Sequence, residues 1–312
     1  MNWTGKKVLI TGGSGFVGKH LVNKLLSLGA DIRIADINIE LALSFPAFDA
    51  DLMRLDDCLE VCKDQEVIFN LAGKVGGISH NGSNQGSMFR ENAIISLNML
   101  EAARLAGVKK YVCVSSACIY QSNCSIPTHE SEGFVGEPDP SNEGYGYAKR
   151  VAEVQARTYA QQYGMDIPIV RFYNAYGPGD RFDATGHVIA SLIKRAIEGE
   201  DPLTVWGTGK PTRSFLFVSD FVDALILAAN GFPSATPVNV CDGNEVSIAE
   251  IAKLVLKHTN SKAQLVFDAL KQDGQPRRLG DITLARSLGF EPKVGIDEGI
   301  RLTVEWYRAN KD

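Results

Sequence analysis

A parallel, doubly wound α/β sheet with a smaller α/β domain beside it is the fold the sequence predicts. Short, continuously apolar runs alternate with segments of helical spacing through the first half of the chain. The first of these runs passes into the first helix through a cluster of glycines. Length is the third observation: 312 residues are too many for one average domain and too few for three.

The elements follow in order. Lys7–Thr11 reads as a buried strand and Phe16–Leu28 as a helix. Ile32–Asp36 is the second strand, Asp56–Lys63 a helix, and Val67–Leu71 the strand after it. Ser87–Ala106 has helical spacing throughout, with Ile94, Ile95, Leu97, Met99 and Leu100 apolar, and stops at Gly107. Tyr111–Ser115 is a strand, Tyr145–Tyr163 a helix, and Ile167–Arg171 a strand. The pattern then loosens. Tyr176-Gly-Pro-Gly179 is a loop, His187–Ile197 a helix and Leu203–Trp206 a short strand. Phe215–Val218 and the helix Asp220–Ala229 again look like elements of the first sheet, and short elements from Val238 lead to a last helix, Asp297–Arg308. Residues 1–173 and 214–236 are therefore expected to form the larger domain, and 174–213 with 237–312 the smaller.

Charge excludes some functions. Lys and Arg number 32 against 37 Asp and Glu, a formal charge of −5, so no global basic excess recommends nucleic acid as a partner. Apolar residues at 45% and charged residues at 22% are the balance of a soluble globule. Thirty glycines are a surplus, about 10% against a usual ~7%. No apolar stretch approaches the ~18 residues that would span a bilayer, and Met1–Thr11 has no secretory pattern. The six cysteines make no C-x-x-C and pair with no His at zinc spacing, so free thiols, a reducing cytoplasm and no metal are expected.

The glycine surplus has chemistry. Thr11-Gly12-Gly13-Ser14-Gly15-Phe16-Val17-Gly18 places glycines at 12, 15 and 18 between a strand and a helix. Side-chain-free backbone there lets a pyrophosphate approach the helix N-terminus. Asp36 ends the second strand, where a carboxylate accepts from adenosine ribose hydroxyls and repels a 2′-phosphate. That favours NAD, with NADP as the alternative. Asp51 and Leu52 are placed to flank the adenine, and Leu71, Ala72 and Gly73 to meet the cofactor at the end of the fourth strand.

Tyr145 and Lys149 lie four apart near a helix start and share a face. A free phenol near pKa ~10 is a poor base at neutral pH; a nearby ammonium and a positively charged nicotinamide ring favour its ionised form. Tyr-x-x-x-Lys alone is common and mostly inert. Joined to the glycine loop and to Ser116 at the mouth of the preceding strand, it means hydride transfer at a carbinol or ketone.

With those residues in place, the chain resembles the extended short-chain dehydrogenase/reductase family, which includes nucleotide-sugar epimerases and dehydratases. The likeness runs through the glycine loop, Asn70-Leu-Ala-Gly73, Ser115-Ser116, Tyr145-x-x-x-Lys149 and Arg171-Phe-Tyr-Asn174-Ala-Tyr-Gly-Pro178. It implies a Rossmann-type domain with a smaller sugar-nucleotide domain, usually as a homodimer. Within the family, Gly73-Lys74-Val75-Gly76-Gly-Ile78, Ser115-Ser-Ala-Cys-Ile-Tyr120 and His187-Val-Ile189 are similar to the branch of GDP-L-fucose synthase and GDP-mannose 3,5-epimerase. Trp206-Gly-Thr-Gly-x-Pro-x-Arg213 and Asp273-Gly-Gln-Pro-Arg-Arg278 resemble its nucleotide-binding segments.

That likeness implies Cys118 and His187 as an epimerising acid/base pair. It implies Lys74, Val75, Gly76, Asn174, Lys194 or Arg195, Trp206, Arg213 and Arg277 around a nucleotide-diphosphate sugar, with a GDP-hexose favoured. The chemistry agrees: a 4-keto group acidifies both C3 and C5 of a hexose, and inversion needs an acid and a base on opposite ring faces. Thiol and imidazole have accessible pKa values for this. If the chain is extended beyond Ser116, Cys118 points to the same side. Taken singly, Cys118 could equally be a buried small residue, His187 a surface histidine and Arg213 an ion-pair partner. The motifs are mixed, because Asp36 favours NAD where fucose synthase spends NADPH. The lysine-bearing loop of the 3,5-epimerase is also not evident in Gly177-Pro-Gly-Asp-Arg-Phe-Asp-Ala-Thr-Gly186. A UDP-sugar 4-epimerase or UDP-glucuronate decarboxylase-like enzyme shares the redox centre without the Cys/His pair, and a non-catalytic dinucleotide sensor is the remotest reading.

Overall fold

The computed structural model describes residues 1–39, 47–76, 78–183, 186–271 and 273–311, with the side chains of 78–80 left aside. Gly77, the Ile78 side chain and Ala184-Thr185, all within the motifs above, lie outside the described residues.

Seven parallel strands form the central sheet in the order β11-β6-β5-β4-β1-β2-β3. They are β1 (Lys7–Thr11), β2 (Asp31–Asp36), β3 (Ala47–Asp49), β4 (Val67–Asn70), β5 (Lys110–Ser116), β6 (Ile169–Phe172) and β11 (Pro237–Val240). Val8, Leu9 and Ile10 are fully buried, as are Ile68, Phe69, Ile169 and Val170; apolar side chains on both faces require helices on both faces. On one face α2 (Leu55–Cys62), α4 (Gln85–Leu105) and α5 (Glu143–Tyr163) enclose Leu9, Ile68, Met99, Tyr111 and Ile169. On the other, α1 (Phe16–Ser27) and α7 (Val218–Gly231) cover Val8, Ile10, Phe69, Val112 and Val170.

A second core gathers α6 (Val188–Ile197), α8 (Ile248–Thr259) and α10 (Ile296–Asn310) around Ile193, Leu203, Val255 and Ile300. Its short strands are β8 (Leu203–Trp206), parallel to β13 (Leu265–Asp268), and β9 (Thr212–Arg213), flanked by β12 (Val246–Ser247) and β14 (Arg277–Arg278). The pair β7 (Asn174–Tyr176) and β10 (Phe215–Phe217) runs parallel beside α7.

One boundary moves. The large sheet was expected to lose the chain after 236, yet β11 pairs with β6 from Pro237↔Ile169 to Val240↔Phe172. Proline donates no ladder hydrogen bond and so suits the first residue of an edge strand, while Val238 and Val240 are buried. Among the described residues no helix is long and apolar enough to cross a membrane.

Candidate active site

The glycine turn expected to meet the cofactor lies at the carboxyl ends of β1, β2 and β4. Thr11 Oγ1 donates to Asn70 Oδ1 at 2.6 Å and accepts from the Ala72 N–H at 3.1 Å, tying the glycine turn to the end of β4. The Gly12 N–H donates to Ala35 O at 2.8 Å. A Cβ on Gly18 would stand 2.1 Å from Gly12 O, so only glycine lets α1 approach the turn this closely. Helix α1 starts after Gly15 with no side-chain cap, and the buried Ser14 Oγ has no hydrogen-bond partner among the described residues. Uncapped N–H groups, an orphan hydroxyl and a cradle that a side chain would fill together fit a pyrophosphate.

The Asp36 carboxylate accepts from the Ser14 N–H at 3.0 Å and the Asn38 N–H at 3.2 Å. That fixes its oxygens at the end of β2, beside the turn. Phe16 and Val17 open α1 and pack partly into the second core, and Leu71 and Ala72 follow β4. Asp51 accepts from the Met53 N–H at 3.0 Å, and Leu52 is buried in the core. Gly73 meets Asn92, whose Oδ1 would lie 2.8 Å from a Cβ there.

Ser116 ends β5 and caps a 3₁₀ turn, Ala117–Ile119, accepting from the Cys118 N–H at 3.1 Å. The turn replaces the extended segment expected here, so Cys118 is positioned by this cap and not by strand alternation. Its Sγ lies 3.8 Å from Arg278 Nη1. Lys149 is buried, donates from Nζ to Val114 O at 2.9 Å, and sits 5.5 Å from the Tyr145 ring centroid. Burial, then the nearby Cys118 sulfur, push the Tyr145 phenol above its ordinary value, while a hydrogen bond with Ser116 works the other way. Burial also holds the Lys149 ammonium below its usual range. Lys149 alone therefore does not ionise Tyr145.

The arginines divide sharply. Arg195 is held by Glu200 and by Thr204 O at 2.6 Å, and Arg277 by Glu245, its Nε 3.0 Å from Oε1. Both guanidinium groups are thus engaged within the smaller unit. Arg213 is buried, donates only to Thr212 O at 2.8 Å, and makes no ion pair among the described residues. Burial, then the neighbouring Arg278, push it down to about 10. Arg278 donates from Nε to Gln275 Oε1 at 2.9 Å and, like Arg213, makes no ion pair among the described residues, so these two cations are the ones chemically suited to an anion.

The remaining expected contacts are dispersed. Trp206 is 63% exposed beneath the Lys271 ammonium, 5.4 Å from its ring. Asn174 donates to Ser214 O at 2.8 Å. Lys74 pairs with Glu91 at 2.8 Å, Val75 O accepts from Arg181 Nη1 at 3.2 Å, and Gly76 follows in the same loop. Lys194 pairs with Glu198 at 3.8 Å. His187 stands just before α6, half-exposed, with Nδ1 3.4 Å from Asp180 Oδ1.

The sequence placed Arg278 in a basic patch with Arg195, Arg213 and Arg277 but did not separate it from Arg277: Arg278 approaches Cys118, because neighbouring residues of β14 point to opposite sides. Sequence reasoning missed two groups. Asp180 beside His187 carried no motif. The other is a buried pair behind β5: Arg171 meets Glu153 at 2.7 and 2.8 Å, and Glu153 accepts from Ser115 Oγ at 2.5 Å. Glu153 sits one helical turn after Lys149, which was a legible signal for a shared face.

Residues 8–241, three quarters of the chain, match a single sequence family. The chain belongs to the NAD dependent epimerase/dehydratase family. It therefore takes a nicotinamide dinucleotide, which the glycine cradle fits. Over 313 residues it is 30% identical to a GDP-L-fucose synthase of Sinorhizobium fredii, covering 98% of this chain and 96% of that one. A GDP-mannose 3,5-epimerase 1 of Oryza sativa subsp. indica is 30% identical, covering 98% and 83%. Among solved structures, a UDP-glucose 4-epimerase of Thermotoga maritima with UDP-glucose superposes with a TM-score of 0.90 at 27% identity, covering 98% and 99%. A Thermus thermophilus UDP-glucose 4-epimerase in complex with NAD gives 0.85 at 25%, covering 97% and 99%.

Proposed function

We propose that this chain is a nucleotide-sugar epimerase/reductase that inverts C3 and C5 of a 4-keto GDP-hexose. The observation that carries the reading is Cys118 itself. Its N–H is fixed by Ser116 Oγ at 3.1 Å, and Arg278 Nη1 stands 3.8 Å from its sulfur. A bare 4-epimerase needs only Ser116, Tyr145 and Lys149.

Chemically, Tyr145 gives or takes the proton at O4, with Ser116 as its hydrogen-bond partner and Lys149 fixed beside the ring. Cys118 and His187 remove and return protons at the carbons flanking the ketone. Gly12, Gly15 and Gly18 cradle the dinucleotide, and Asp36 selects NAD by holding ribose hydroxyls where a 2′-phosphate would be repelled. When bound, the dinucleotide supplies the hydride donor or acceptor at C4. Arg213 and Arg278 take the diphosphate. The GDP preference follows the curated relatives, whose names specify GDP sugars. Residues 1–173 and 214–240 carry the cofactor and the remainder the sugar nucleotide.

A homodimer is part of the proposal. Helices α4 and α5 pack together and leave Phe89, Leu97, Val154 and Tyr163 exposed, which a second copy would cover.

The test is product analysis by NMR. The chain is incubated with GDP-mannose, and with its 4-keto-6-deoxy form plus NADH or NADPH. Products inverted at C3 and C5 are expected. Turnover confined to C4 of a UDP-sugar, unaffected by Cys118→Ser, would establish the second reading, which the solved 4-epimerase structures favour.

A further inference from the structure

The Gly177–Asp183 turn is clamped from several sides. His20 Nε2 on α1 lies 2.8 Å from Pro178 O, and Arg181 Nη1 donates to Val75 O at 3.2 Å. The Phe182 ring stacks on Tyr307 and Trp306 of α10, with centroids 4.3 and 5.9 Å apart. Within the turn, the Asp180 N–H donates to Gly177 O at 3.2 Å and the Arg181 N–H to Asp180 Oδ1 at 2.7 Å.

The clamped turn delivers a costly group. The Asp180 side chain is 2% exposed, and its Oδ2 has no hydrogen-bond partner among the described residues. No Lys or Arg there pairs with it; its one ionisable partner is His187, 3.4 Å away. A buried carboxylate without a cation is destabilising and is retained only where something else depends on it. His187 faces it: the imidazole side chain remains 46% exposed, with Nδ1 turned to Asp180 and Nε2 without a hydrogen-bond partner among the described residues.

We propose that Asp180 is the positioning residue for His187, fixing the imidazole through Nδ1 so that Nε2 delivers or removes the proton at the sugar carbon. The inference rests on the epimerase reading of His187. Two charged groups act on the imidazole: the Asp180 carboxylate favours its protonated form, and Arg181 opposes it. The carboxylate prevails, so His187 titrates above an ordinary histidine. The coupling also joins the cofactor domain to the acid/base step, because the turn carrying Asp180 is bonded to α1 through His20.

The test compares wild type, Asp180→Asn, His187→Gln and the double variant. Imidazole NMR follows the His187 titration, which needs no turnover; solvent deuterium uptake into the 4-keto-6-deoxy form of GDP-mannose follows the chemistry. Melting curves and cofactor binding verify that each variant is folded.

In Asp180→Asn the His187 midpoint is expected to fall, because the carboxylate that favours its protonated form is gone. Exchange is expected to slow roughly 10–100-fold, with KM little changed and the pH profile displaced downward. Adding Asp180→Asn to His187→Gln is expected to cost nothing further. An unmoved midpoint with unchanged exchange, or equal losses in the presence and absence of His187, overturns the proposal. Absence of exchange in wild type, whatever the titration shows, overturns instead the epimerase reading on which it rests.

Discussion

Arg278 Nη1 stands 3.8 Å from Cys118 Sγ, joining two residues 160 positions apart. The contact brings the last part of the substrate domain onto the turn that follows β5. It places the thiol of the redox domain beside the cation that would meet a diphosphate. Cys118→Ser is expected to leave dinucleotide affinity unchanged and to slow C3 and C5 exchange about 10²–10⁴-fold. Dinucleotide titration and deuterium uptake check the two halves; exchange at the wild-type rate would remove Cys118 from the chemistry.

Arg213 is proposed to hold the substrate diphosphate. It is buried, lacks an ion pair among the described residues, and is pushed down to about 10 by burial and by Arg278. Replacing it with Met removes a burdened charge while keeping most of the volume. The melting temperature of Arg213→Met without ligand should therefore stay level or rise. Stabilisation by GDP should fall, with Kd rising roughly 30-fold for a loss of about 2 kcal/mol. A variant that melts lower but binds GDP normally would make Arg213 a structural residue.

Asp36 is the residue proposed to choose between NAD and NADP. Its carboxylate is held by the Ser14 and Asn38 N–H groups, so it cannot swing aside for a 2′-phosphate without giving up both bonds. Asp36→Ser is expected to weaken NAD by about 1–2 kcal/mol and to strengthen NADP. Fluorescence titration with both dinucleotides measures the ratio, and a ratio equal to that of wild type would sink the assignment.

Alkaline stability follows from buried acids. Burial pushes the Cys58, Cys62 and Cys113 thiols up to about 12, and the Tyr111, Tyr145, Tyr173 and Tyr176 phenols rise for the same first reason. Above about pH 8.5 the unfolded chain releases thiol protons that the folded chain keeps, so the folded state binds more protons and loses stability as pH rises. The thiols draw stability down from about pH 8.5 and the phenols only from about pH 10, each until its folded midpoint is reached. Urea midpoints should drop steeply between pH 8 and pH 10.5; equal midpoints would contradict the burial of these groups.

The sheet was legible because its strands are apolar on both faces. Lys7–Thr11 and Leu203–Trp206 form as read, and helix ends differ from expectation by a few residues where caps lack side-chain signals. The edge strand Pro237–Val240 was missed as part of the large sheet, since four residues opening with proline resemble a linker. The cofactor turn could be read because glycine is the only residue its backbone contacts allow. The substrate side could not, because ion pairing is a tertiary fact. Nothing in the spacing of Arg195, Arg213, Arg277 and Arg278 tells which meet Glu200 or Glu245 and which have no ion pair among the described residues. Asp180 escaped for the same reason: a carboxylate in a loop reads as solvated until its burial is known.

The most direct measurement is deuterium incorporation from D2O into the 4-keto-6-deoxy form of GDP-mannose, located by NMR. The account predicts uptake at both C3 and C5 in wild type, lost at one or both positions in Cys118→Ser and in His187→Gln. Turnover with neither carbon labelled would contradict it.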